Sequence, residues 1–181
     1  MKTEQVFIAI TLDNGHVEVM GFVTVGRGGF PDGATPIHDS DGWWKREPSD
    51  RNLAFEISKA YSVGGKQPTR YRIVDHNLIP ADRTYRDALV DDGNKLAHDM
   101  PKAREIHLRH VRDRRGPALD QLDRDWMRAT GRGETKEAKR IEAERQALRD
   151  LPAMLGVEAA STTEELKARW PASLPKPKGW R

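Results

Sequence analysis

The stretch from Asp99 to Leu151, DMPKAREIHLRHVRDRRGPALDQLDRDWMRATGRGETKEAKRIEAERQALRDL, constrains this chain more than any other feature. It is dense in charge, helical in period, and broken only by Gly116-Pro117 and Gly131-Arg132-Gly133. Ile106, Leu108, Val111, Leu119, Leu122 and Trp126 mark an uneven apolar stripe along a first helix, and Ala138, Ile141, Leu148 and Leu151 mark a second, interrupted by Arg145. Asp99 suits the first cap. Pro101 costs little near the first turn, where its missing N–H would lack an intrahelical partner anyway. The short reversal at Gly131–Gly133 makes the two helices antiparallel neighbours. Their stripe is narrow, as in a two-helix seam rather than a globular core helix. Pro117 should kink or restart the first helix, because a mid-helix proline removes a backbone bond and crowds the preceding turn.

Upstream, Gln5–Leu12 is rich in β-formers and His16–Val25 runs extended again, with Asp13-Asn14-Gly15 between them. Asn-Gly supplies the two positive φ angles of a type I′ turn, so the pair reads as a β-hairpin. The start, MKTEQVFIAITLDNG, has no small-residue cleavage site and is expected to be a strand, not a signal peptide. Gly26–Pro48 reads as a Gly/Pro/Asp loop whose only large apolar content is Trp43-Trp44. Ser49 offers an N-cap to a helix over Asn52–Tyr61, with Leu53, Ile57 and Tyr61 on one face and Gly64-Gly65 ending it. Arg70–Asp75 alternates as a strand that could join the hairpin edge.

Leu78-Ile79-Pro80 looks like a boundary, followed by a short helix capped by Asp82 and stopped near Gly93. Beyond Pro152 a short helix capped by Ser161 or Thr162 should run to Trp170, ahead of an extended SLPKPKGWR tail. The expected fold class is α+β: a small N-terminal β-hairpin, helix and strand unit over 1–79, a long antiparallel helical hairpin over 80–152, and a loose C-terminal segment over 153–181.

The 181 residues include 31 Lys+Arg and 28 Asp+Glu, with hydrophobic residues at 36% and a mean hydropathy of -0.78. Charged residues make up 33% of the chain against an average of about 25% in globular domains, so the core is expected to be modest. No apolar run approaches the roughly 18 residues a membrane helix needs. Cysteine is absent, which removes disulfides, thiol catalysis and thiolate metal sites together. Acidic and basic residues alternate, whereas dedicated nucleic-acid binders cluster positive charge.

His107 and His110 stand three apart with no third ligand at a recognisable spacing, and metal-protease helices use a spacing of four. The glycines of Val25–Gly33 lack the Lys-Ser/Thr of a phosphate loop. Asp39, Asp41, Asp91 and Asp92 fit no EF-hand pattern, and Ser40, Ser49, Ser58, Ser62, Ser161 and Ser173 form no nucleophile elbow. No catalytic residue, cofactor or metal is therefore expected. Arg109, Arg112, Arg114 and Arg115 form a basic cluster beside the helix break, but Asp113 interrupts it and Asp120, Asp123 and Asp125 follow. That sign change suits a complementary protein partner better than a phosphate backbone. Tryptophans in so polar a chain anchor interfaces well. The expected partner-binding residues are Trp43, Trp44, Arg109, Arg112, Trp126 and Trp170.

The run IPADRTYRDALVDDGNKLAHDMPKAREIHLRHVR, with ALDQLDRDWMRATGRG, RQALRDLPA and TTEELKARWP, resembles tail-associated proteins of tailed bacteriophages and prophages. FIAITLDNGHVEVMGFVT and WWKREPSDRNLAFEISKAY resemble the N-terminal half of such proteins. The resemblance spans most of the chain and brings no catalytic residues with it. It implies a virion structural role in the tail or tail fibre, with other tail proteins and further copies of the chain as partners. Assembly would take place in the bacterial host cytoplasm, and an assembly chaperone is the alternative. Neither nucleic acid nor a membrane is expected as a partner.

Overall fold

Strand β1 (Glu4–Leu12) is apolar almost throughout because both of its faces are covered. It pairs antiparallel with β2 (Val17–Arg27) on one side and with β5 (Pro68–Val74) on the other. The computed structural model describes residues 2–29, 31–37, 42–62, 65–177 and 180. Ile8, Ile10 and Leu12 point to one face of the sheet, where they meet Phe22 and, from helix α1 (Asp50–Ala60), Leu53 and Ile57. Ala9 lies on the opposite face with Val17 and Val74, under Leu89 and Leu96. Each fully buried Val, Leu, Ile or Phe side chain among these contributes about 1.5–3 kcal/mol relative to exposure.

The hairpin forms between the expected strands, but its turn is one residue longer than a type I′ turn. Gly15 N–H donates to Leu12 O at 3.0 Å and Leu12 N–H to His16 O at 2.8 Å, with Gly15 at φ 75°. That is a three-residue loop closed by a glycine bulge. Residues 26–48 also differ from the loop expectation. Thr35–Pro36 (β3) and Trp43–Lys45 (β4) pair with each other, and β4 pairs with β2, giving the sheet order β3-β4-β2-β1-β5. Pro and Gly hide strands this short, since no alternation develops over two or three residues. Ser49 caps α1 by accepting from Asn52 N–H at 3.4 Å. Of the two glycines expected to end that helix, Gly64 lies outside the described residues.

Between Pro80 and His98 the chain does not form the expected helix. Asp82 accepts from Thr84 N–H, a single 3-10 turn covers Arg86–Ala88, and Leu89–Asp91 (β6) pairs with Leu96–His98 (β7). An aspartate can close a turn onto a residue two positions on as readily as it caps a helix, and here the turn prevails. Because Leu89 and Leu96 complete the sheet's core, the first compact unit runs from Met1 to Ala97.

The second unit, His98–Arg181, is built on α2 (Met100–Gly131) and α3 (Thr135–Met154). Asp99 caps α2, accepting from Lys102 N–H. The helix then continues through Pro117 without a restart. A Schellman motif ends it: Glu134 N–H donates to Ala129 O and Gly133 N–H to Thr130 O, with Gly133 at φ 74°, a conformation that favours glycine. Likewise α3 continues past Pro152. In α4 (Thr163–Ala168), Thr162 caps Glu165 N–H while the Glu165 carboxylate returns to the N–H of Ser161, one residue before the cap, a variant of the capping box. The segment after α3 is packed rather than loose. Leu166 and Ala160 are fully buried, and Trp170 and Leu174 form a cluster with Val111 that Leu148, Leu151, Leu155 and Trp180 flank. No described helix is long and apolar enough to cross a membrane.

Candidate interaction surfaces

The two tryptophans of β4 alternate across the strand. Trp44 is 6% exposed, and its Nε1 donates to Gly28 O at 2.7 Å. Its ring lies flat enough on Gly26 that a Cβ there would come within 2.4 Å of Cζ2. Trp44 is therefore occupied inside the first unit, while Trp43 stays half-buried. Beside them Arg46 is buried with its guanidinium 4.1 Å from the Phe22 ring centre, and its Nη1 donates to Glu56 Oε1 at 2.8 Å.

Trp126 is half-buried beneath a cation. The Arg145 guanidinium stands 5.3 Å from its ring centre, with Nε 2.6 Å from Asp123 Oδ1 and Nη1 paired with Glu142. The Nε–Oδ1 contact is an ion pair off the N–H axis rather than a linear hydrogen bond. The arginine that interrupts the α3 stripe thus ties the two helices together with charge and with its ring contact.

Trp170 belongs to the core of the second unit. It is 8% exposed, donates Nε1–H to Leu174 O at 3.1 Å, and meets Trp180 at 4.7 Å between ring centres. His107 lies edge-on to it at 5.6 Å. Burial, helped by the charge of His110, pushes the His107 imidazole down to about 4. This histidine is a neutral packing residue.

Arg109, Arg112 and Arg114 are exposed on α2. Arg115 is not: its Nη1 donates to Leu148 O at 2.9 Å and Arg149 O at 2.7 Å. The basic cluster read from the sequence therefore divides into three solvated cations and one structural tie.

Two polar clusters in the first unit lay beyond sequence reasoning. Arg72 grips Asp91 with Nε–Oδ2 at 2.9 Å and Nη2–Oδ1 at 2.8 Å. These bonds, with Gly93 N–H, hold the Asp91 carboxyl below the usual carboxylate range against the opposing effect of burial. Glu18 takes Lys66 Nζ at 2.5 Å and the Tyr61 hydroxyl at 2.7 Å, which lowers Glu18, while burial and that carboxylate raise the Tyr61 phenol. Partners this far apart in the chain leave no spacing signal.

The other candidates are absorbed into local structure. Asp92 accepts from Asn94 and Lys95 N–H. Ser49 and Ser161 take part in helix caps, and the Ser58 and Ser62 hydroxyls donate to Phe55 O and Lys59 O. Asp39, Ser40 and Asp41 lie outside the described residues. Among the described residues no group of three or more His, Asp or Glu could hold a metal ion. No protein-family model, curated protein or solved structure matches the chain.

Proposed function

We propose that this chain is a structural component of the tail or tail-fibre apparatus of a tailed bacteriophage, working through protein–protein contacts and without catalysis. One observation supports a binding role most directly. Beyond Gly116 the two long helices bury only Ala129 and Ile141, leaving Leu119, Leu122, Trp126 and Leu148 half-covered. Helices in water gain most of their stability from packing an apolar face, so a partner would complete this one. The resemblance of the hairpin and N-terminal segments to phage tail proteins supplies the biological setting. In this reading the protein is assembled in the host cytoplasm and retained in the virion. Trp43, Arg109 and Arg112 remain as accessible contacts, while Trp44 and Trp170 support the fold.

Mass spectrometry of purified particles encoded with this sequence tests the reading. The protein should appear at a fixed ratio to the other tail proteins. Its absence from mature particles, with presence in lysates during assembly, would replace the structural role with that of an assembly chaperone.

A further inference from the structure

Of the four asparagines in the chain, Asn14 alone precedes a glycine. It sits in the loop that joins β1 to β2, where Asn14 and Gly15 are both exposed and a Cβ on Gly15 would meet nothing within 4 Å. The Asn14 side chain turns back on its own backbone, with Oδ1 accepting the His16 N–H at 2.9 Å. An N–H can donate only to the oxygen of an amide, so this bond fixes which end is which. Nδ2 is left without a partner among the described residues. The ring that the bond closes runs through Asn14 Cγ and the Gly15 nitrogen, the two atoms that join when a succinimide forms. The donor on Oδ1 also polarises the carbonyl and makes Cγ the better electrophile.

The other asparagines lack this arrangement. Leu53, Leu78 and Lys95 follow them, and each places a side chain beside the nitrogen that would attack. Asn52 is tied down as well. Its Nδ2 donates to Glu47 O at 2.8 Å, and the next N–H, on Leu53, is held by Ser49 O.

We propose that Asn14 is a covalent modification site, where spontaneous deamidation gives aspartate and isoaspartate. The Gly15 nitrogen, having given its proton to hydroxide, bonds to Asn14 Cγ. The Cγ–Nδ2 bond breaks, and Nδ2 takes a proton from water and leaves as ammonia. Water then opens the succinimide. Attack at Cγ yields aspartate, and attack at the main-chain carbonyl carbon of Asn14 yields isoaspartate, whose backbone runs through Cβ and Cγ. The Gly15 N–H is held by Leu12 O at 3.0 Å, so the reaction proceeds when this exposed turn opens, as loop tips do at little cost.

The two products act differently on the fold. Aspartate keeps an acceptor for the His16 N–H and adds one negative charge. Isoaspartate adds a backbone atom to a loop closed by the Gly15–Leu12 and Leu12–His16 bonds, which cannot both keep their geometry. The β1–β2 register beyond that loop sends Ile8, Ile10 and Leu12 to one core and Val17 to the other. The site does not depend on the function proposed above.

The full chain, held for weeks in mildly alkaline buffer and followed by intact mass and peptide mapping, tests the proposal. The mass gain of an amide becoming an acid should appear at Asn14, as both products, while Asn52, Asn77 and Asn94 stay intact. A synthetic peptide of residues 12–17 in the same buffer gives the rate without the fold. Asn14→Gln, whose cyclisation needs a larger and slower-forming ring, should lose the mass gain. Separated by chromatography, the isoaspartate chain should unfold at lower urea than the aspartate chain. An Asn14 still intact in the folded chain once the peptide has fully converted would overturn the proposal. So would earlier conversion at another asparagine, or a mass gain that persists in Asn14→Gln. Equal urea midpoints for the two products would overturn the consequence drawn for the hairpin.

Discussion

Arg115 on α2 donates to the Leu148 carbonyl of α3 at 2.9 Å, and that carbonyl is the one Pro152 deprives of its intrahelical partner. A proline four residues on carries no N–H to offer, so the arginine replaces the missing donor and joins the helices. Replacing Arg115 with Met keeps the aliphatic stem and removes the donor. Urea unfolding should show a loss of about 1–3 kcal/mol, the cost of an unsatisfied part-buried acceptor. In Pro152→Ala the residue at 152 regains an N–H, and the cost of Arg115→Met should shrink. Equal costs in both backgrounds would mean that the carbonyl has no need of the arginine.

Gly26 is held by close approach. Its Cβ position is 2.4 Å from Trp44 Cζ2, so Gly26→Ala must push the indole away and stretch the Nε1–Gly28 O bond. Overpacking of this kind costs about 1–3 kcal/mol. Near-UV circular dichroism should lose the signal of an immobilised tryptophan in parallel with stability. Gly116→Ala meets open space and should be neutral or stabilising, because alanine is the better helix former.

The parts of this fold that a single sequence exposes are those set by local chemistry. Ser49, Asp99 and Thr162 cap the helices they precede, Gly133 ends α2, and the β-formers on either side of Asp13-Asn14-Gly15 mark the β1–β2 hairpin, because neighbours in the chain dictate each of these. What stays hidden depends on distant partners. β4 is defined by β2 across Gly26 and Trp44, and Leu89 and Leu96 are core residues only because the sheet lies beneath them. Pro117 and Pro152 look like helix breaks in a list of residues, yet helical neighbours on both sides carry the backbone through. The tryptophans show the same division at the candidate surfaces. Their scarcity among charged residues marks all of them as important, but only the tertiary structure separates Trp44 and Trp170, which are consumed by packing, from the half-open Trp43 and Trp126.

The Arg72–Asp91 fork gives a stability effect with a fixed sign. Asp91 has its folded pKa depressed below the ordinary value of 3.8, chiefly by the Arg72 hydrogen bonds. The stabilisation is therefore fully present above that value and is lost as pH falls through the lower folded-state pKa. Asp91→Asn should destabilise the first unit by about 2 kcal/mol at neutral pH, the usual worth of a charge-assisted bond. The difference between variant and native chain should narrow in strong acid. A constant difference throughout would mean that the fork acts through shape and not through charge.

His107 produces a pH dependence at a higher window. Its folded pKa is about 4 and its ordinary value 6.5, so the unfolded chain takes up a proton first as acid is added. The His107 contribution to stability should be flat above pH 6.5, fall between 6.5 and about 4, and level off below. The full shift corresponds to about 3 kcal/mol, at 1.36 kcal/mol per unit. His107→Phe keeps an aromatic ring against Trp170 and Trp180 and has nothing to protonate. Urea midpoints followed by tryptophan fluorescence across this window should slope for the native chain and stay level for the variant, apart from the contributions of the remaining titratable groups, which both chains share. Identical slopes would place the proton uptake elsewhere and remove His107 as its source.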